Sequence, residues 1–246
     1  MSDLVDAELI KLRSTRLLWG IVGTTIVISL LSTAIPILSG SLDEKTGRSL
    51  FESQRNLLAN GAAAGLFMFI LGLSGVTSEF RFGTVTPTFL AVPDRRQVMV
   101  AKAIAYGTVA VLLTASTIAV CAAVGLPLMV STDLDIVVEI HDVIALTVGG
   151  IASALLMTLI AVGLGAAVRS TVAVLVGMVA LLVVVLPLLN SVSDTAGQYL
   201  PLDTAARVAG VAAEGPSQFL SGLILAGYAA LALAVGLLLL ERRDVT

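Results

Sequence analysis

The sequence contains six long windows free of Asp, Glu, Lys and Arg, and these constrain the fold more than any other feature. A helix that crosses a bilayer needs about 20 mostly apolar residues, and each window is long enough. Charged residues make up only 13% of the chain, about half of the ~25% typical of soluble domains. We therefore predict an all-α integral membrane protein whose 246 residues form a single transmembrane domain. The predicted spans lie near residues 17–39, 57–76, 103–130, 143–168, 171–190 and 217–240.

The distribution of basic residues predicts how the chain is oriented. With six spans, both termini share a side with the loops after spans two and four. Of the 14 Lys and Arg residues, ten fall on that side and four on the other. Since basic residues are enriched in cytoplasmic loops, we predict that both termini are cytoplasmic.

Two segments outside the spans have patterns of their own. Residues 3–16 carry Leu4, Val5, Leu9 and Leu12 at roughly helical spacing, which predicts an amphipathic helix in the membrane interface. The alternative is a solvated lead-in to the first span.

The last outer loop, residues 191–216, is the longest of the outer loops. Its stretch Pro201-Leu202-Asp203-Thr204 predicts a helix capped by Asp203 or Thr204 and running through Ala205, Val208 and Val211. The apolar content of this loop predicts a reentrant segment that dips back toward the membrane before span six.

No residue pattern predicts a catalytic or metal site. The sequence has no G-x-x-x-x-G-K-[ST] motif, so we expect no phosphate-binding loop in this chain. The single histidine, His141, is predicted outside, about 30 Å across the hydrocarbon from Ser74 near the cytoplasmic end of span two. The acidic residues lie in loops and do not converge within spans. We expect no enzyme activity, no metal site and no nucleic-acid partner.

The largest cytoplasmic segment between spans, residues 77–102, begins with the ordered stretch TSEFRFGTVTPTFLAVPDRR. Gly83 allows a sharp change of direction, and Thr84 can cap a helix that starts after it. Thr86-Pro87 resembles a helix start, and Pro93 ends the helix after about one turn. The stretch therefore predicts a short helix on the cytoplasmic surface, tied to spans two and three. An ordinary basic loop would account for the arginines but not for this order.

Several stretches together are similar to a known family. They are AELIKLRSTRLLWG at 7–20, SEFRFGTVTPTFLAVPDRR at 78–96 with Lys102, the six spans, the long last outer loop and the basic ending ERRD. They resemble the membrane subunits of ABC-2 type transporters, which are ATP-binding-cassette exporters, over essentially the whole chain. The Glu-x-Arg-x-Gly-Thr element followed by Pro and Arg is the most specific part. The Ala-, Val- and Gly-rich composition is most similar to actinobacterial members.

The resemblance implies where a partner ATPase would bind. In that family, the loop between spans two and three is the coupling helix, which sits on the nucleotide-binding subunit, and the N-terminal amphipathic helix is a second contact. By position, the residues implied at the coupling contact are Glu79, Arg81, Gly83, Thr84, Pro87, Thr88, Phe89, Leu90, Pro93, Arg95 and Arg96. Those implied at the N-terminal contact are Glu8, Lys11, Arg13 and Arg16.

The resemblance also implies an assembly and an activity. Two permease subunits, identical or paralogous, would pair with two cytoplasmic ATPase subunits that hold ATP and Mg, while this chain binds no cofactor. The assembly would sit among the lipids of a bacterial plasma membrane and export a hydrophobic or amphipathic substrate. The alternative is a membrane scaffold or immunity protein that binds a partner and transports nothing.

Overall fold

The computed structural model describes residues 1–39, 54–55, 61–132, 138–193, 195–211 and 215–242. Within these ranges, every regular element is a helix. The first six are α1 (Ser2–Ser14), α2 (Arg16–Leu38), α3 (Gly61–Arg81), α4 (Val85–Ala91), α5 (Arg95–Ser131) and α6 (Ile140–Val168). Helix α7 (Thr171–Ala180) continues through a π turn (Leu181–Val185) into α8 (Leu186–Val192). A 3-10 turn (Ala196–Tyr199), α9 (Pro201–Val208) and α10 (Gln218–Arg242) complete the described chain.

Several of these helices are long and apolar enough to cross a membrane. The structure has five of them in its described part, namely α2, α5, α6, the unit Thr171–Ser191 and α10. There are six if α3 and α4, which are bent by 85° at the break between them, count as one span. This confirms the prediction of an all-helical chain with several helices able to span a membrane. Residues 57–60 of the predicted second span and the end of the ERRD stretch lie outside the described residues.

Helix α6 is the centre of the bundle, with α3, α5 and α10 packed around it. Small side chains make this possible, since Ala154, Ala161 and Ala166 are almost completely buried. Gly163 of α6 faces Gly236 of α10, and a Cβ on Gly236 would lie 2.5 Å from the carbonyl oxygen of Gly163. The backbones of α6 and α10 therefore touch, as expected where small residues meet between membrane helices.

The loop predicted at residues 77–102 is much shorter than expected, because the flanking helices extend into it. Helix α3 runs to Arg81, and α5 begins at Arg95, where the carboxylate of Asp94 accepts hydrogen bonds from the amides of Arg96 and Gln97 at 3.0 and 3.4 Å. Such a cap satisfies amides that have no intrahelical partner. Lys102 therefore lies in the third turn of α5 rather than at its start.

The predicted start of the short helix is wrong by two residues. Helix α4 begins at Val85, so Pro87 is its third residue and Thr86 is not its cap. Thr84 precedes the helix, but its side chain makes no capping bond, and its hydroxyl instead donates to the carbonyl of Glu79 at 3.5 Å. The helix ends at Ala91, before Pro93, as predicted.

The helix predicted in the last outer loop is present, but its predicted cap is wrong. Helix α9 begins at Pro201, because proline needs no amide partner and its fixed φ suits the first helical position. Asp203 and Thr204 therefore lie inside the helix, and the hydroxyl of Thr204 donates to the carbonyl of Leu200 at 3.0 Å. Val211 lies beyond the end of α9. The reentrant character of this segment and the interfacial position of α1 stay predictions.

Candidate functional site

Four charged side chains from three helices meet at one end of the bundle. Lys102 of α5 donates to Glu8 of α1 at 2.7 Å and to Glu79 of α3 at 2.6 Å. Lys11 of α1 donates to the other oxygen of Glu8 at 2.7 Å and to Glu79 at 3.3 Å. We call these four residues the charge network, and the end of the bundle that holds them the proximal end. The opposite end, where Ile140 begins α6, is the distal end.

The charge network is largely sealed from solvent. Glu8 and Lys102 are 5% exposed and Glu79 is 9% exposed, whereas the side chain of Lys11 is 45% exposed. Charges withdrawn from water are costly unless they are paired and hydrogen-bonded. Two carboxylates and two ammonium groups balance one another, so the network is satisfied only while α1, α3 and α5 stay together.

The packing of α3 against α5 explains why Glu79 meets Lys102. Tyr106 follows Lys102 by about one helical turn and lies directly against Gly75, which precedes Glu79 by about one turn. Tyr106 is 4% exposed, and a Cβ on Gly75 would overlap its ring. The missing side chain at Gly75 therefore lets the two helices approach closely enough for the carboxylate and the ammonium group to pair.

The network shifts the pKa of Glu8 and of Lys11, its two members on α1. Burial raises the pKa of Glu8, but the charge of Lys102 and the hydrogen bonds from Lys102 and Lys11 outweigh it, so the pKa lies below its ordinary value of 4.5. Burial lowers the pKa of Lys11, but its hydrogen bond to Glu8 and the charge of Glu79 raise it above its ordinary 10.5. Both groups are thus held in their charged forms.

These shifts predict how stability depends on pH. Stabilisation through Glu8 is complete above pH 4.5 and is lost as the pH falls through the lowered pKa that Glu8 has in the folded protein. Stabilisation through Lys11 is complete below pH 10.5 and is lost as the pH rises through the raised pKa that Lys11 has in the folded protein. We expect the melting temperature in detergent to be nearly constant between about pH 5 and 10 and to fall on either side.

The acid side of this profile is checked with Glu8→Gln. This variant is expected to melt below the wild type at pH 7 and to lose less stability than the wild type between about pH 5 and pH 3. Thermal scans of both proteins across that range measure the difference. Identical slopes for the two proteins would show that Glu8 does not titrate as the geometry requires.

Helix α4 projects from the bundle close to the charge network. Gly83 adopts φ 70°, a left-handed conformation that favours glycine, and the chain turns there by 85° between α3 and α4. Val85 is 4% exposed and holds the start of α4 against the protein, whereas Leu90 is 79% exposed. Phe82, in the turn, is 66% exposed. The result is a short helix fixed at its start, with apolar side chains on its outer surface.

The start of α5 also contacts the end of α10. The Arg96 guanidinium donates to the carboxylate of Glu241 at 2.6 Å. Arg95 donates to the backbone carbonyl of Leu240, and its guanidinium lies 5.4 Å from the ring centroid of Phe89. The cation on Arg95 therefore touches α4 and the negative end of the α10 dipole at the same time.

The structure brings some of the predicted site residues together and leaves others apart. Glu8, Lys11 and Glu79 meet in the charge network, with the two carboxylates facing inward rather than toward an outer surface. Arg13, on α1, and Arg16, the first residue of α2, are exposed and lie outside the network. The predicted coupling residues from Arg81 to Pro93 lie along α4 and the segments next to it. Arg81, Gly83 and Thr84 lie before or in the turn, and Pro87, Thr88, Phe89, Leu90 and Pro93 lie in or just after α4.

Three residues that the sequence did not assign to the site prove central to it. Lys102 holds both buried carboxylates, Asp94 caps α5, and Glu241 pairs with Arg96. The Asp94 cap had a sequence signal, since an acidic residue between Pro93 and a helical stretch is a typical helix start. Glu241 had none, because its partner lies far away in sequence.

No protein-family model matches this chain, and no curated protein does. The resemblance to ABC-2 type membrane subunits therefore depends on the sequence motifs, the six predicted spans, the long last outer loop and the basic ending alone. The contacts at the proximal end do not depend on that resemblance.

Proposed function

We propose that the chain is the membrane subunit of an ABC-2 type exporter and that α4 is the coupling helix on which a separate ATPase subunit acts. One observation carries the proposal. A short helix, turned 85° away from a long apolar one, presents an exposed apolar surface beside a buried charge network. The motif Glu79-x-Arg81-x-Gly83-Thr84 lies at the base of that helix.

The exposed surface of α4 has the character of a protein contact. Leu90 and Phe82 are large exposed apolar side chains at the proximal end, and Thr86 of α4 is exposed as well. Exposed apolar side chains grouped on a projecting element and rimmed by polar residues are typical of interaction sites. Arg81 stacks on Phe82 at 4.5 Å from the ring centroid and supplies a polar rim.

The attachment of α4 suits the transmission of force. Only a short turn separates α4 from α3, and three residues separate it from α5. The charge network joins α3 and α5 to α1 close to these connections. A displacement of α4 by a partner would therefore move α3 and α5 together, because separating them would leave buried charges without partners.

In this proposal, the chemical energy comes from outside the chain. Two ATPase subunits bind ATP and Mg, and ATP binding closes them against each other. Each subunit then pushes on the α4 of one permease subunit. Two permease subunits, identical or paralogous, face each other across the cavity through which a hydrophobic or amphipathic substrate leaves the cytoplasm. The proximal end is the cytoplasmic end, in agreement with the basic residues counted there.

The proposal is tested by site-specific photo-crosslinking in the native membrane. A photoreactive amino acid at Leu90 is expected to capture a protein that contains a G-x-x-x-x-G-K-[ST] nucleotide-binding loop. The matched control is Ile140, which is 76% exposed but lies at the distal end, about 40 Å away along α6. A Leu90→Glu substitution is expected to reduce co-purification of the same protein at least tenfold, because it places a charge in an apolar contact.

Two outcomes would contradict the proposal. Equal capture from positions 90 and 140 would show that α4 is not a selective contact. Capture at position 90 of a partner without a nucleotide-binding loop would favour the alternative function, a membrane scaffold or immunity protein that transports nothing.

A further inference from the structure

A cavity of about 500 Å³ lies at the proximal end between α4 and the turn that joins α6 to α7. Two cationic residues, Arg81 and Arg169, line it, together with the hydroxyl-bearing residues Thr77, Thr86, Ser170 and Thr171. None of the described residues that line it carries a negative charge. Its volume is within the range of about 300–1,000 Å³ that is usual for small-molecule sites.

Backbone geometry and stacking hold Arg169 in the cavity wall. Arg169 ends α6 in the left-handed conformation, with φ 60°, and its amide donates to the carbonyl of Gly165 at 3.0 Å. Its guanidinium lies 4.8 Å from the ring centroid of Phe80. A non-glycine residue with positive φ is uncommon and often marks a functional position. A stacked guanidinium keeps its donors in one plane at its edge, an arrangement suited to a phosphate group.

The start of α7 adds a second source of positive potential. Thr171 and Val172 are the first two residues of this helix, whose first amides have no intrahelical partners. Ser170 caps the helix by accepting a hydrogen bond from the amide of Ala173 at 3.3 Å. The hydroxyls of Thr77 and Thr171 are hydrogen-bonded to each other and hold the start of α7 against α3.

A second cavity, of about 320 Å³, lies next to the first along α7 and is wholly apolar in its lining side chains. Residues 169–172 line the first cavity, and Ala173, Gly177 and Leu181 line the second. Phe69 of α3 and Leu164 of α6 complete much of its wall. From residue 173 to residue 181, α7 and the start of the π turn rise about 12 Å, which is the length of a substantial part of an acyl chain.

We propose that this pair of cavities binds an anionic phospholipid, with its phosphate in the cationic cavity and one acyl chain in the apolar cavity. The first cavity lies where the apolar helix α6 ends and the apolar helix α7 begins, which is the depth of the headgroups when those helices cross a bilayer. The charges of the two arginines favour a net negative headgroup over a zwitterionic one. Basic pockets between helices at this depth are a recurring form of lipid recognition. The lipid site depends on the cavities themselves and not on the proposed export function.

The test is a lipid titration of the full chain in detergent, followed by native mass spectrometry. Phosphatidylglycerol is the anionic probe, and phosphatidylcholine with the same acyl chains is the zwitterionic comparison. We expect one phosphatidylglycerol to bind at least tenfold more tightly than phosphatidylcholine. Arg169→Gln and Arg81→Gln are each expected to weaken that binding about tenfold or more, because each removes charge-assisted hydrogen bonds. Arg242→Gln, an exposed arginine outside the cavity, is the matched control and is expected to leave binding unchanged.

A second variant tests the apolar cavity without removing a charge. A Cβ on Gly177 would meet nothing within 4 Å, so Gly177→Trp fills the cavity without backbone strain and is expected to weaken phosphatidylglycerol binding at least fivefold. Gly227→Trp on α10 is its control, since that position is equally open and lies outside the cavity. Three results would each overturn the proposal. They are equal affinity for the two lipids, an equal loss in Arg242→Gln, and displacement of the lipid by millimolar inorganic phosphate, which would indicate a small-anion site.

Discussion

Replacing Lys102 by Met is expected to lower the free energy of unfolding by about 3–5 kcal/mol, because it leaves two buried carboxylates facing each other. Lys102 is 2.7 Å from Glu8 and 2.6 Å from Glu79, and none of the three is more than 9% exposed. Lys11 would then be the remaining cation in the network, and its half-exposed side chain neutralises only part of that charge. Helix α1 is expected to detach from α3 and α5 first, because Lys102 makes the buried ion pair that joins α5 to Glu8 of α1.

Guanidinium titration in detergent, followed by circular dichroism, measures the total loss of stability in Lys102→Met. Trp19 reports locally on α1, because it is the only tryptophan in the sequence and its indole donates to the carbonyl of Arg13 at 3.2 Å. We expect the Trp19 emission to change at lower denaturant than the circular dichroism signal in this variant. The two transitions should coincide in the wild type.

Two further variants separate the network from a general effect of lost charge. Lys11→Met is expected to cost less than about 1 kcal/mol, since half-exposed ion pairs contribute little. The triple variant Glu8→Leu, Glu79→Leu and Lys102→Met is expected to regain most of the stability that Lys102→Met loses. It replaces all three buried charges by apolar side chains, so no buried charge is left without a partner at these positions. If Lys102→Met were no more harmful than Lys11→Met, the network would not be what holds α1 in place.

Replacing Gly163 by Ala is expected to lower the free energy of unfolding by about 3 kcal/mol, the upper end for overpacking substitutions. A Cβ at this position would lie 2.5 Å from the carbonyl oxygen of Ala232 and even closer to its carbonyl carbon. Both are backbone atoms of α10, so no side-chain rotation can relieve the overlap. Helices α6 and α10 would have to separate, and Ala229 and Ala232 would lose contact with the bundle.

Gly227→Ala is the matched control for Gly163→Ala, because it makes the same chemical change on α10 where a Cβ would meet nothing within 4 Å. Glycine is the weaker helix former, so this control is expected to be neutral or stabilising by up to about 1 kcal/mol. Thermal unfolding in detergent compares the two variants. Equal melting temperatures would contradict the close backbone contact between α6 and α10.

The sequence predicted most of the apolar helices because their signal is local. Long windows without charge specify where a helix can lie in hydrocarbon, and the observed ends of α2, α6 and α10 agree with them within about three residues. The prediction was weakest at residues 77–102, where α3 and α5 extend beyond the apolar windows. Charged residues continue a helix as readily as apolar ones do, so charge marks the limit of the apolar window and not the end of the helix.

The candidate site was only half predictable for a related reason. Gly83 and Thr84 predicted the turn before α4, because glycine is strongly preferred where the backbone adopts the left-handed conformation. The pairing of Lys102 with Glu8 joins residues 94 positions apart, and the pairing of Arg96 with Glu241 joins residues 145 apart. Such pairs leave no local pattern. The sequence predicts Lys102 at the membrane edge, whereas in the structure it is buried because α1 packs against α5.

The sequence by itself determined that the described part of the chain is helical, where its apolar helices lie and that a short helix separates two of them. Hydrophobicity and turn preference are properties of neighbouring residues, so they can be read along the chain. Only the tertiary structure decided which charges are buried, which glycines carry backbone contacts and which arginines line a common cavity. Those features depend on how α1, α3, α5, α6 and α10 approach one another, and that approach is set by the shapes of side chains that are distant in sequence.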